Sequence, residues 1–171
     1  MPLSRRRIVQ MGACLAAPSL IAEALAQKRA EPPLPKVGSA FPLGPVPLLG
    51  GGSFQPTQVD GKALVVYWWA SWCPFCAQQS PEMQKLWESQ RGRGLQMLTL
   101  SIDKKPEEAV AYMKKKGYDF PAAWVSPEVA KVYPKPEGLP VVVVRGKDGR
   151  VAQAEKGQLF PEDVEQLARW M

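Results

Sequence analysis

The chain predicts an α/β fold with a mixed central sheet flanked by helices, and three features carry that expectation. Leu64–Trp69, read as LVVYWW, is a continuous apolar run of the kind that forms a strand buried on both faces. Strand-like and helix-like segments alternate after it, the order that builds parallel strands with crossover helices. The valine run 141–144 and the segment 151–154 flank Gly146-Lys147-Asp148-Gly149, which reads as a hairpin adding an antiparallel edge.

The elements follow in order. Residues 1–26 read as a secretory signal: Arg5, Arg6 and Arg7 precede a weakly apolar stretch over 8–25 that ends in Ala24-Leu25-Ala26, a small-residue cleavage site. The paired arginines also resemble a twin-arginine export signal, although Gln10 stands where a lysine is usual. Cys14 lies inside this leader, so the mature chain, starting at Gln27, keeps two cysteines in an oxidising compartment, periplasmic or otherwise extracytoplasmic. Residues 27–35 are expected to be a proline-rich tether, and 36–171 the folded domain, with 36–47 as an extended strip along it. Gly50-Gly51-Gly52 marks a turn, and Asp60-Gly61-Lys62 bounds the buried strand.

A helix should open at Cys73, because Pro74 suits the first helical position, where a missing N–H costs nothing. Met83, Leu86 and Trp87 share one helical face, Gly92 and Gly94 stop the helix, and Pro81 should kink it. Residues 95–102 form a second strand. Pro106–Lys116 is a helix whose ends suit its dipole, with Glu107 and Glu108 in the first turn, Lys114 to Lys116 in the last, and Gly117 as the stop. Residues 120–125 are a short strand, 126–133 a short helix started by Ser126-Pro127-Glu128, and 161–171 a closing helix.

Bulk properties exclude several functions. Charged residues make up 22% of the chain and the net charge is +6. The first 26 residues hold three arginines and one glutamate, which leaves 19 basic against 15 acidic side chains in the rest. That spread of charge lacks the concentrated basic face of a nucleic-acid binder. No stretch reaches the roughly 18 apolar residues of a membrane-spanning helix. Histidine is absent, which removes a histidine base, a Cys–His nucleophile pair and any histidine metal ligand.

The chemistry therefore concentrates in WWASWCPFC, residues 68–76. Cys73 and Cys76 alone cannot complete a structural zinc site or an iron–sulfur cluster. Ala77 occupies the position that haem attachment reserves for histidine. An inert staple across so short a loop constrains the unfolded chain little. The position favours chemistry instead: the pair sits where a helix starts beyond the C-terminal end of a buried strand. Free N–H groups and the positive dipole end there would lower the pKa of a Cys73 thiol, and Cys76, a turn later, would serve as the more buried resolving thiol.

These residues carry a family resemblance. W-C-P-F-C after an apolar strand, Pro81 beyond it, and Gly138-Leu139-Pro140 before another apolar strand resemble the thioredoxin superfamily. With KVGSAFPL, DGKALVVYWWASWC and GLPVVVVRGKDGRV, the chain over 36–171 resembles the TlpA/ResA-like thiol–disulfide oxidoreductases. The resemblance implies a thioredoxin fold with an N-terminal extension and a central helix–strand insertion. It implies a cis bond before Pro140, facing the cysteines, and an activity of reducing disulfides in client proteins, including apocytochromes c awaiting haem. Trp72, Phe75, Leu139 and Pro140 are the expected docking surface, and reducing equivalents would come from a membrane thiol carrier. No cofactor or metal is expected beyond a redox-active Cys73–Cys76 disulfide, and a monomer is expected.

Two departures stand out. Tyr67 holds the place of thioredoxin's buried aspartate, and Gln79 the place of a glutamate in ResA-like proteins. Neither can accept a proton as a carboxylate does, which leaves water, Glu82 or Glu137 as candidates, both glutamates also reading as ordinary surface carboxylates. Phe75 cannot stabilise a thiolate as the histidine of DsbA-like oxidants does. Two rivals remain: a disulfide oxidase or isomerase on the same fold, and a non-catalytic client-binding or Cu(I)-carrying module, the latter opposed by the lack of histidine and of a Met-rich loop.

Overall fold

The fold is built outward from its central strand. The computed structural model describes residues Glu31–Met171; the expected signal segment with Cys14, and the first residues of the expected tether, lie outside the described residues. Strands are β1 Val46–Pro47, β2 Ser53–Phe54, β3 Leu64–Trp69, β4 Gln96–Ser101, β5 Ala122–Trp124, β6 Val141–Arg145 and β7 Val151–Lys156. Helices are α1 Pro74–Gln90, α2 Pro106–Lys116, α3 Val129–Val132 and α4 Pro161–Gln166.

Every residue of β3 is buried, as its unbroken apolar run requires. It lies at the centre of the five-stranded order β5-β4-β3-β6-β7. β4 and β5 run parallel to it, while β6 is antiparallel to β3 and β7 antiparallel to β6. Side chains alternate along β3, so Val65, Tyr67 and Trp69 enter one core layer and Leu64, Val66 and Trp68 the other.

The first layer is covered by α1, α2, α4 and the 3-10 turn after it through Met83, Leu86, Ala109, Val164 and Leu167. The second is closed by Val46, Phe54, Val59, Val129 and Tyr133, from the N-terminal extension and the α3 region. The extension is more structured than an extended strip: β1 and β2 pair antiparallel across the glycine turn, and a 3-10 turn follows over Pro56–Val59. Gly51 and Gly52 take φ values of 96° and 73° there, a conformation open to glycine without steric cost. The hairpin strands are too short to show an alternating pattern, and they exist because the second face of the sheet needs a cover.

Other boundaries differ modestly from the sequence expectation. α1 passes unbroken through Pro81. The closing helix is α-helical over Pro161–Gln166 and tightens into a 3-10 turn over Leu167–Trp170. α2 keeps its expected bounds and ends on Gly117 at φ 71°. The α2–β5 unit is the expected insertion, and it extends the sheet beyond β4.

Candidate active site

β3 delivers the chain to a tight turn in which the Cys73 N–H donates to the Ala70 carbonyl at 3.2 Å. Cys73 is extended at φ −84°, ψ 115° and caps α1. Its sulfur accepts the Cys76 N–H at 3.1 Å, and its carbonyl accepts the Ala77 N–H at 3.0 Å. Cys73 and Cys76 are joined as a disulfide with Cα atoms 5.2 Å apart. A sulfur in this position meets an N–H and the positive end of a 17-residue helix, both of which favour the thiolate once the bond is reduced.

Both cysteines are buried: Cys76 is 1% exposed and Cys73 4%, a smaller contrast than a surface nucleophile over a buried partner. The neighbouring side chains project instead, Trp72 at 62% and Phe75 at 54% exposure. The Leu139–Pro140 bond is cis. It lies at the same end of the sheet, because Val141 of β6 stands opposite Trp68 near the end of β3. Leu139 packs against the layer that holds both cysteines. Pro140 is buried, and its carbonyl accepts the Gly157 N–H at 2.9 Å.

Tyr67 is fully buried, with its hydroxyl 2.9 Å from the Ser80 hydroxyl. Burial pushes the Tyr67 hydroxyl well above its ordinary value, and the Ser80 bond offsets only part of that rise, so Tyr67 holds its proton. Gln79 is also fully buried; its side-chain carbonyl accepts the Leu159 N–H at 2.7 Å and its amide nitrogen meets no partner among the described residues. Gln79 thus ties α1 to the loop before α4. Glu82 pairs with Lys85 at 2.8 Å and Glu137 with Lys156 at 3.6 Å, so both candidate carboxylates engage lysines.

One carboxylate at this end escaped the sequence reading. Asp103, just past β4, is 3% exposed. Its carboxylate accepts the Ser71 N–H at 3.0 Å, the Ser71 hydroxyl at 2.7 Å and the Ser101 hydroxyl at 2.7 Å. The signal available in the sequence was Ser101-x-Asp103 at the C-terminal end of a strand, where such sheets place functional groups. Among the described residues, no three His, Cys, Asp or Glu side chains gather to hold a metal ion, and no helix is long and apolar enough to cross a membrane.

Comparison with known proteins is consistent with this geometry. A family model described as AhpC/TSA family matches residues 37–154. The chain is 26% identical over 135 residues to the thiol-disulfide oxidoreductase ResA of Bacillus thuringiensis subsp. konkukian, covering 78% of each chain. It is 25% identical over 130 residues to ResA of Geobacillus kaustophilus, covering 75% of this chain and 74% of that one. Among solved structures, a thiol:disulfide interchange protein of the thioredoxin family from Chlorobium tepidum superposes with a TM-score of 0.67 at 23% identity, covering 79% of this chain and 94% of the other. A secreted Mycobacterium tuberculosis disulfide oxidoreductase homologous to E. coli DsbE gives 0.65 at 16% identity, over 74% and 95%. At these identities the two solved structures speak for the fold.

Proposed function

The chain belongs to the AhpC/TSA family, as a ResA-like thiol–disulfide oxidoreductase of thioredoxin fold, and on that premise we propose that it reduces disulfides of client proteins outside the cytoplasm, with Cys73 as nucleophile and Cys76 as resolving thiol. The observation that carries this is the Cys73 sulfur at the start of α1, held 3.1 Å from the Cys76 N–H and flanked by exposed Trp72 and Phe75.

The Cys73 thiolate attacks one sulfur of a client disulfide, and the other client sulfur leaves as a thiolate. Cys76, as its thiolate, then attacks the Cys73 sulfur and the second client sulfur departs, so two electrons pass to the client and the Cys73–Cys76 bond forms. Trp72 and Phe75 offer apolar area to the client, and the Leu139 backbone offers an edge on which an extended client segment can lie as an added strand. A membrane thiol carrier would restore the dithiol by the same exchange, with no bound cofactor. Apocytochrome c is a client of suitable chemistry, since its haem-attachment cysteines must be reduced. The extracytoplasmic setting draws on the signal-like residues 1–26 and on the likeness to a protein described as secreted.

Two measurements test this reading. Insulin reduction by the full chain should fall to background in Cys73→Ser; turnover that survives would overturn the assignment and favour a binding or metal-carrying module. Equilibration with glutathione should place the pair near thioredoxin's potential of about −270 mV, and a value near DsbA's, about −120 mV, would reverse the direction of electron flow.

A further inference from the structure

Building on the reading of Cys73 and Cys76 as the exchange centre, we propose that Asp103 is a positioning residue for the exchange: its carboxylate clamps the turn carrying Trp72 and Cys73, and its charge restrains the Cys73 thiolate. The clamp is visible in the hydrogen bonds. One carboxylate oxygen accepts the Ser71 N–H at 3.0 Å and the Ser71 hydroxyl at 2.7 Å; the other accepts the Ser101 hydroxyl at 2.7 Å and a longer contact from the Ser71 N–H at 3.3 Å. Ser71 is the second residue of the Ala70–Cys73 turn closed by the Cys73 N–H. Fixing Ser71 at both its backbone and its side chain fixes where Trp72 points and where α1 begins.

Asp103 is itself held from behind. Its N–H donates to the Ser101 hydroxyl oxygen at 3.1 Å, its carbonyl accepts the Trp124 indole N–H at 2.7 Å, and the preceding Ile102 N–H donates to the Trp69 carbonyl at 2.9 Å. β3, β4 and β5 therefore all reach the residue or its neighbour. The groups around the carboxylate are all donors, so an acceptor-only side chain is matched to the site and an amide is not.

The charge has a second effect. Among the described residues no lysine or arginine pairs with Asp103. A buried carboxylate without a cation is poorly screened, and Ser71, the residue it grips, stands two residues before Cys73 in the chain. It opposes the field of the helix start, destabilises the thiolate and with it the reduced form, and so makes the dithiol the stronger electron donor. The logic is the reverse of DsbA, whose reduced form is stabilised. Burial raises the Tyr112 hydroxyl above its ordinary value, and the nearby charge of Asp103 raises it further. No proton or electron passes through Asp103; it sets the energy of the sulfur that does the chemistry.

The test uses the full chain with Asp103→Asn, Asp103→Ser and Ser71→Ala. Three quantities are read at one pH and salt concentration: the fraction reduced in a glutathione couple, the iodoacetamide alkylation rate of Cys73 in a Cys76→Ser background, and insulin turnover. Either neutral replacement of Asp103 that folds by circular dichroism should alkylate roughly three- to tenfold faster and shift the equilibrium towards dithiol by a similar factor. Ser71→Ala keeps the charge, so alkylation and equilibrium should stay within about twofold while client turnover falls through a higher KM. Folded Asp103 variants that match the wild type within twofold in both alkylation and equilibrium would overturn the charge effect. Wild-type client turnover in Ser71→Ala would overturn the clamp. A wild-type protein that neither equilibrates with glutathione nor reduces insulin would instead sink the parent reading of the cysteines.

Discussion

Trp68 and Trp69 are adjacent on β3 but face opposite layers and keep different company. Trp69, on the cysteine side, donates its indole N–H to the Thr99 hydroxyl at 3.2 Å and packs on Tyr112 and Phe120 with ring centroids 5.7 and 6.2 Å away. Trp68, on the other side, meets Phe41 edge-on at 6.5 Å, and its indole N–H has no partner among the described residues. The contrast extends across the sheet. The cysteine side buries Tyr67 with Ser80, and Gln79 with Leu159. The far side is held mainly by apolar area, with Tyr133 as its main polar anchor: its hydroxyl donates to the Gly44 carbonyl at 2.8 Å and accepts the Gly44 N–H at 3.0 Å. Hydrogen bonds set direction and apolar burial supplies most of the stability, so the layer that must aim sulfurs is the one that carries buried polar pairs.

Substitutions on the two faces should therefore fail differently. The largest stability loss belongs to the far face: Trp68→Ala should cost about 3–5 kcal/mol in urea unfolding while the molecules that remain folded keep their exchange rate. If that variant instead unfolds like the wild type, the far layer is not the stabilising half. Tyr133→Phe should cost less, about 1–3 kcal/mol, because it leaves the Gly44 N–H short of its buried acceptor. On the cysteine face, Tyr67→Phe removes one buried pair and should cost about 1 kcal/mol. Its insulin turnover should stay within about twofold of wild type, because a hydroxyl held so firmly protonated is no acid or base for the thiols; a large loss of turnover would make Tyr67 a participant.

The smallest effect is one of pH. The folded state keeps the Tyr67 proton to higher pH than the unfolded chain, where tyrosine titrates near 10. The unfolded state then releases protons first, so this contribution is complete below about pH 10 and is lost as pH rises further. Unfolding midpoints measured between neutral and strongly alkaline pH should fall less steeply in Tyr67→Phe than in the wild type. An unchanged slope would mean that Tyr67 is not shielded as its burial indicates.

Much of this is legible in the sequence. The bounds of β3 and α2 coincide with the apolar run and the charge-capped segment that announce them, because each is decided by local pattern. The same holds for Cys73 as the residue that starts α1. The rest depended on pairings between distant segments. Gln79 reaches Leu159, 80 residues away, and Asp103 reaches Ser71, 32 residues away. No periodicity encodes either contact. The β1–β2 hairpin was missed because two-residue strands have no period to read, and because their purpose, covering Val66 and Trp68, appears only once the sheet is assembled.

The first described residues reach across the fold to the segment before the cis-proline. Glu31 pairs with Lys135 at 2.7 Å, and the Pro32 carbonyl accepts the Glu137 N–H at 2.8 Å. Glu137 is three residues before Pro140, a span of at most about 11 Å of chain. The strip then runs away along the β7 side, where the Gly38 N–H donates to the Val151 carbonyl at 2.8 Å and the Phe41 N–H to the Gly149 carbonyl at 3.0 Å. Glu31 and Pro32 therefore brace the segment that leads into the cis Leu139–Pro140 bond. The docking edge offered by Leu139 thus rests on contacts made more than 100 residues earlier in the chain, so a change at Glu31 or Pro32 reaches the exchange site without touching a cysteine.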